Sequence, residues 1–390
     1  MKHIELFKDG FDSTIDEKIQ PENYPYIGHD IVSGEIVYTL VPEPYVTFTA
    51  EEDNSSIGLT ALSTNQTLEY STDTTTWNTF DTTTSISLNN GDKVYIRGVL
   101  SDNNTDEDYT QFKMSGKIAA SGNCNAIWNH QDLNAQLRNY CGGGLFWDCT
   151  SLTTAPELPA TTLAKGCYFY MFVGCTSLTV APELPATELA DCCYQLMFWN
   201  CTSLTTAPEL PATTLADHCY NFMFYSCSSL TTAPELPATA LGYGCYRNMF
   251  SYCYSLTKAP EILQAQTLTG ECYNQMFNHC TSLKVAPKIS ATTLANYCCT
   301  EMFWGCSNLE VAPVLLSPKV ELESYLAMFH SCSNLKHVEC HAIDMSASRS
   351  VYKMFYNINT EGTLIKHPDA DWANVNAYIP SGWTVEDAVI

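Results

Sequence analysis

Nineteen cysteines and nine histidines carry most of the chemistry that this 390-residue chain could offer. Thiols pair as disulfides, Cys-x-x-Cys knuckles hold zinc, and a thiol beside an imidazole is a nucleophile. The spacing supports none of these. One column of cysteines is Cys149, Cys175, Cys201, Cys227, Cys253, Cys280, Cys306 and Cys332, and a second is Cys141, Cys167, Cys193, Cys219, Cys245, Cys272 and Cys298. Only Cys124, Cys192, Cys299 and Cys340 fall outside both. Cysteines in register stack on themselves from one repeat to the next. Equivalent positions in adjacent parallel strands stand about 4.8 Å apart with parallel Cβ vectors, whereas a disulfide prefers Cβ atoms about 3.8 Å apart. The expectation is a ladder of free, buried thiols acting as small apolar side chains. The adjacent pairs Cys192-Cys193 and Cys298-Cys299 place one thiol of each pair on the opposite side of the backbone.

The other chemical residues are equally sparse in pattern. His337 and His341 are four apart, with Cys340 between them, a spacing that could hold a metal on a helix. No acidic ligand motif accompanies them, and surface or strand positions are expected instead. Glu157, Glu183, Glu209, Glu235 and Glu261 form a column. Paired carboxylates do acid/base work only when their environments differ, and equivalent repeat positions give equal environments, so the column reads as a solvated stripe. The acidic turns 51–54 and 102–108 lack EF-hand spacing and read as solvated loops. No nucleophile elbow, phosphate-cradling loop or Cys/His couple outside the ladder is present. The expectation is a protein that is not an enzyme and carries no cofactor and no metal.

What positions all these residues is a repeat. Phe146, Phe172, Phe198, Phe224, Phe250, Phe277, Phe303, Phe329 and Phe355 recur every 26 residues, with one step of 27. A period of this size over more than half the chain predicts a solenoid of stacked supersecondary units. Within a unit, Ser-Leu-Thr-x-Ala-Pro-Glu-Leu-Pro reads as a short strand with Leu178, Ala181 and Leu184 inward, and Pro185 ending it. Leu189, Cys193, Met197 and Phe198 have the spacing of one face of a short helix. The predicted fold is thus an α+β repeat solenoid of 26-residue coils over 149–357. A short helix over 129–139, with Leu133 and Leu137 on one face, predicts an N-terminal cap within 121–148. Residues 358–390 read as the C-terminal cap, with Trp372 and Trp383 as lids. Residues 44–120 read as a small β-sandwich-like domain, from short strands such as Tyr45–Thr49 and Lys93–Val99 separated by polar turns. Residues 1–43 carry scattered aromatics and prolines without a sustained period. They read either as a disordered leader or as an extended arm that orders on a partner, with Phe7, Phe11, Tyr24 and Tyr26 as candidate anchors.

Charge narrows the partners. Eighteen Lys plus Arg stand against 42 Asp plus Glu, a net charge of −24. Nucleic acid and anionic membrane surfaces want a basic stripe, so neither is expected as a partner. No apolar run approaches the length of a spanning helix. The first residues contain no apolar h-region or cleavage site, and a chain without a secretory signal is expected.

The Cys-x-Ser-Leu strand start, the Leu-Pro turn and the aromatic-x-x-Cys ending of the unit resemble the leucine-rich repeats of BspA-like bacterial surface proteins, over about 141–357. This chain has Met-Phe where that family usually has Ala-Phe. The resemblance implies a leucine-rich-repeat-like fold. It also implies either of two settings. Members are mostly secreted or lipid-anchored adhesins at the bacterial cell surface. Similar arrays, preceded by a similar β domain, occur in bacteriophages of gut Bacteroides-type bacteria. A virion protein needs no export signal, so the second setting suits this chain: a virion surface protein attached to other virion structural proteins through its arm.

The position after each Met-Phe varies while the core does not: Trp147, Val173, Trp199, Tyr225, Ser251, Asn278, Trp304, His330 and Tyr356. Its aromatics Trp147, Trp199, Tyr225, Trp304 and Tyr356 are the candidate partner-binding residues, stacking on a host-surface or mucosal glycan or anchoring a protein. The other reading is that they half-bury against the neighbouring unit.

Overall fold

A computed structural model describes residues 27–32, 35–40, 43–105, 107–373 and 375–389. It is built largely of strands and turns, in several small sheets, with one short helix among the described residues. The first two strands, β1 (Ile27–Val32) and β2 (Glu35–Leu40), pair antiparallel with each other. They lie inside the stretch read as an arm without strand period, so that reading is corrected for 27–32 and 35–40. The candidate anchors Phe7, Phe11, Tyr24 and Tyr26 lie outside the described residues.

The next eight strands follow the expected β domain. They are β3 (Val46–Ala50), β4 (Ser55–Ala61), β5 (Gln66–Ser71), β6 (Asn78–Thr79), β7 (Ser85–Leu88), β8 (Lys93–Leu100), β9 (Gln111–Ser115) and β10 (Ile118–Ser121). In β8, Val94, Ile96, Gly98 and Leu100 are buried while the residues between them are half-buried or exposed, the alternation of a strand with one face on a core. Two sheets form. One has the order β7-β4-β9. The other has six strands, and its outermost member is β11 (Leu152–Thr154), which belongs to the first repeat and runs parallel to β10. Phe48 of β3 and Phe112 of β9 meet between the sheets at 5.2 Å, and Phe112 stacks at 5.3 Å on Phe146, the first phenylalanine of the repeat.

That junction revises the predicted cap. The helix is α1, Ala126–Asn129, only four residues long, and residues 130–139 are turns and irregular chain. Leu137 is buried and Leu133 half-buried. The exposed end of the first repeat is covered instead by the β domain. The amides of Phe112, Ile118 and Cys124 donate to the carbonyls of Leu145, Ser151 and Glu157. A first repeat needs partners for one whole edge of backbone, and a four-residue helix cannot supply them.

Within the repeat the predicted helix is also absent. From Gly166 to Cys175 the amides divide into two sets. Those of Phe169, Met171, Val173 and Cys175 close turns onto the carbonyl three residues back. Those of Tyr170, Phe172 and Gly174 cross to Gln195, Met197 and Trp199 of the following unit. No amide there makes the i→i−4 bond of an α-helix. The backbone takes positive φ at Tyr168 (62°) and Tyr170 (57°), and again at Cys192, Tyr194 and Leu196. Each such residue costs about 1 kcal/mol or more. Two gains offset it. Every second amide bonds a neighbouring unit, and Cys193, Tyr194, Leu196, Met197 and Phe198 are all buried. A helix turns by about 100° per residue, so a stripe on one face could not bury five of six consecutive side chains.

The predicted strand is reduced as well. Leu178 and Leu184 are buried and Ala181 half-buried, yet between most units the ladder is one bridge, such as Val180↔Thr206 and Thr206↔Thr232. Pro182 and Pro185 have no amide hydrogen to give, which limits pairing to the residues around them. Short paired segments appear farther round the unit: β12 (Thr162–Leu163) with β13 (Glu188–Leu189), and β14 (Ile262–Leu263) with β15 (Lys288–Ile289). All are parallel and in step with the repeat.

Side-chain columns hold the units together. The phenylalanines stack from Phe146 to Phe355 at centroid distances between 5.4 Å and 6.4 Å, each close to parallel with the next. Tyr168, Tyr194, Tyr220, Tyr246 and Tyr273 form a second buried stack. Burial of each ring contributes about 1.5–3 kcal/mol, and stacked pairs about 0.5–1.5 kcal/mol more. At the far end, β16 (His337–Cys340), β17 (Glu361–Lys366) and β18 (Gly382–Asp387) form a parallel sheet. Trp372 and Trp383 close over Phe355 at 5.9 Å and 5.7 Å, as expected of lids.

Candidate functional site

All nineteen cysteines are free thiols, and all but Cys192 are buried. They are more than small apolar groups. In the first column each thiol from Cys175 onward donates to the carbonyl of a phenylalanine in the preceding unit, as Cys175 does to Phe146 (3.1 Å) and Cys332 to Phe303 (3.0 Å), while Cys149 donates to Phe112 of the β domain (3.3 Å). In the second, Cys193 donates to Ala164 and Cys219 to Ala190, both at 3.2 Å. Burial pushes the thiols of Cys141, Cys149, Cys306 and Cys340 up to about 12. Only a thiolate attacks or binds metal, so these thiols are inert.

The other chemical candidates do not converge. His337 lies on strand β16 rather than on a helix, and it is exposed. Cys340 points into the core, and His341 Nε2 lies 2.7 Å from Glu339 Oε1. Glu157, Glu183, Glu209, Glu235 and Glu261 are all exposed. In the acidic turns, carboxylates bond neighbouring loops: Asp53 accepts from the Asn90 amide, and Asp108 accepts from Thr64. The Thr64 hydroxyl is the main reason the Asp108 carboxyl sits below its ordinary value.

The arrangement with most to offer lies on the turn ribbon, just after the phenylalanine column. There the aromatic rings form a continuous ridge. Trp199 meets Tyr225 at 5.7 Å, Tyr225 meets Tyr252 at 5.2 Å, and Tyr252 stacks on His279 at 4.9 Å. His279 continues to Trp304 at 6.2 Å, Trp304 to His330 at 4.9 Å, and His330 to Tyr356 at 5.0 Å. Tyr356 then meets Tyr378 of the C-terminal segment at 5.6 Å.

Four of the five residues singled out from sequence belong to this ridge. Trp199 and Tyr356 are 37% and 43% exposed, and Tyr225 and Trp304 are half-buried. Trp147 is half-buried too, but packs with Tyr109 and Tyr170 instead. The half-burial against neighbouring units is therefore real for most members, and it coexists with exposure at the two ends. Tyr252, His279, His330 and Tyr378 are not among those five. In the units of Tyr252 and His279 the varying position holds Ser251 and Asn278, which turn inward, and the ridge shifts by one residue. Ser251 Oγ donates to the Gln275 carbonyl at 2.6 Å. The signal was present in the sequence: a small polar residue at the varying position, followed at once by an aromatic ring.

The polar groups beside the ridge are paired. Arg247 and Glu271 form an ion pair at 2.6 Å, and Arg349 and Glu323 one at 2.9 Å. Gln275 donates to Glu301, whose carboxyl is pushed up by burial. Burial pushes His279 down, and burial together with the nearby Lys353 does the same for His330, so both imidazoles are neutral at pH 7. Chemically the ridge can bind: it presents ring edges, hydroxyls and imidazole nitrogens along a line. One hydroxyl meets an imidazole there, Ser331 Oγ at 2.9 Å from His330 Nδ1, and among the described residues no carboxylate bonds that imidazole to orient it. Comparison with family models, curated proteins and solved structures found no match for this chain.

Proposed function

We propose that this protein is a non-enzymatic bacteriophage virion surface protein of the head-fibre, decoration or receptor-binding kind. Its N-terminal arm joins other virion structural proteins. Its repeat array is a leucine-rich-repeat-like solenoid that presents a surface for binding host or environmental glycan or protein. The observation that carries the binding role is the ridge from Trp199 to Tyr378. Contiguous, partly exposed aromatic patches on a protein surface mark interaction sites. Core packing does not require this ridge, because the phenylalanine and tyrosine columns already fill the interior. The non-enzymatic role rests on thiols pushed far above neutrality by burial and on carboxylates in repeated, equal settings.

Mass spectrometry of density-purified, cell-free particles from the source culture, run beside the cell-envelope fraction, tests the setting. Peptides concentrated in particles are expected. Peptides confined to the envelope would overturn the virion role and place the chain with bacterial surface adhesins.

A further inference from the structure

We infer that the middle of the ridge, Tyr252, His279 and Trp304 with Gln275 and Glu301 beside them, is a carbohydrate subsite for a neutral polysaccharide chain lying along the repeat array. The inference rests on the binding role proposed above and names the ligand class.

Three observations carry it. The first is the chemistry of the flank. The column two residues before each phenylalanine runs beside the ridge, as the contact of Phe222 with Tyr225 at 5.4 Å and the approach of Lys353 Nζ to the Tyr356 ring at 5.4 Å establish. In the middle units that column holds Gln275 and Glu301, half-buried and bonded to each other. A planar amide and a carboxyl next to aromatic rings suit a sugar, whose C–H faces pack on rings and whose hydroxyls need donors and acceptors together. The second is charge. Glu271 and Glu323 are each neutralised by an arginine, so the ribbon offers little to a polycation, and the net charge of −24 repels a polyanion. The third is translation. The ridge advances one ring per unit over six unit steps from Trp199 to Tyr356, roughly 30 Å at about 4.8 Å per step. A ligand that itself repeats can renew the same contact along that line.

The test is affinity electrophoresis of the full chain in native gels containing dextran, mannan or hydroxyethyl cellulose, with heparin as the charged comparator. Retardation in one or more neutral gels is expected. Trp304→Ala and Gln275→Ala should each weaken it about tenfold. Val180→Ser, on the exposed strand side, should leave it unchanged, and thermal melts confirm that each variant folds. Retardation by heparin alone, by none of the polymers, or undiminished in Trp304→Ala overturns the inference. A second measurement separates this failure from failure of the binding role. Capture on an immobilised neutral, mannose-rich glycoprotein should vanish when its sugars are oxidised by periodate. Capture that survives periodate but is lost in Trp304→Ala would overturn the glycan and leave a protein-binding ridge. Capture that survives both would overturn the ridge itself.

Discussion

The thiol of Cys201 donates to the carbonyl oxygen of Phe172, 3.0 Å away in the preceding unit, and the same carbonyl accepts the amide of Cys175. One oxygen thus closes a turn within its own unit and ties the next unit to it. The cysteine columns are cross-links of hydrogen bonds rather than of sulfur to sulfur. At Ser324, the first place where the second column changes residue, the bond persists, Oγ donating to the Ala295 carbonyl at 2.9 Å, whereas Ser350 Oγ turns to the Met345 carbonyl of its own unit at 2.7 Å.

Substitution should expose that role. Cys219→Ser keeps a donor of nearly the same size, and a stability change within about 1 kcal/mol is expected. Cys201→Ala removes the donor and leaves a small void in a packed column, for an expected loss of about 1–2 kcal/mol. Urea denaturation of both variants measures the difference. Equal losses for the two would mean that size alone matters at these positions.

The thiols also set the alkaline limit. An unfolded cysteine titrates near its ordinary value of 9.0, while burial holds Cys141, Cys149, Cys306 and Cys340 near 12 in the fold. The folded value is the raised one, so the unfolded chain loses its thiol protons first. The stabilisation is complete below about pH 9 and drains away as pH climbs from 9 towards 12. Melting temperature should be flat through neutrality and fall steeply above pH 9. Alkylation of the native chain at pH 8 should label Cys192 alone, with the other eighteen reacting only after denaturation. Rapid native labelling of the columns would contradict their burial.

The repeat period, its buried columns and the varying aromatic position were legible in the sequence because each is a matter of spacing. The path of the backbone was not. Leu189, Cys193, Met197 and Phe198 have helical spacing, but the real pattern buries Tyr194 and Leu196 as well. The informative column stood two residues after each phenylalanine: Asp148, Gly174, Asn200, Gly305 and Asn357 all have positive φ. Gly, Asn and Asp are the residues that tolerate that conformation, and their recurrence marks the turn just past the expected helix, while the positive φ at Cys192, Tyr194 and Leu196 inside it falls on residue types that give no such sign. The cap was misread for another reason. Pairing between β10 and β11 joins segments whose separate patterns carry no sign of each other.

Ser226 occupies the same column with φ of 59°, without the glycine found at 174 and 305. Ser226→Gly should relieve strain and raise stability by up to about 1 kcal/mol. Ser226→Val places a β-branched side chain at the same angle and should lower it by about 1–2 kcal/mol. Thermal melts of the pair rank them. Destabilisation by glycine would mean that the serine side chain makes a contact worth more than the strain.

The arm can be removed without touching the strand ladder that begins the β domain. The strand after residue 43 is β3, which pairs with β8 through Val46–Thr49 and with β10 through Thr47–Ala50. The β1–β2 hairpin pairs with neither. A chain lacking 1–43 therefore keeps every ladder bond of β3 and should melt within a few degrees of the full protein. If the arm is the particle attachment, as proposed, that folded chain should fail to join particles when it replaces the full-length protein. Sedimentation of particles assembled with either form, followed by quantitative mass spectrometry, reads the outcome. Incorporation of the shortened chain at normal levels would move the attachment to the β domain or the array. Loss of both folding and incorporation would mean that the arm completes the fold rather than serving as a separate tether.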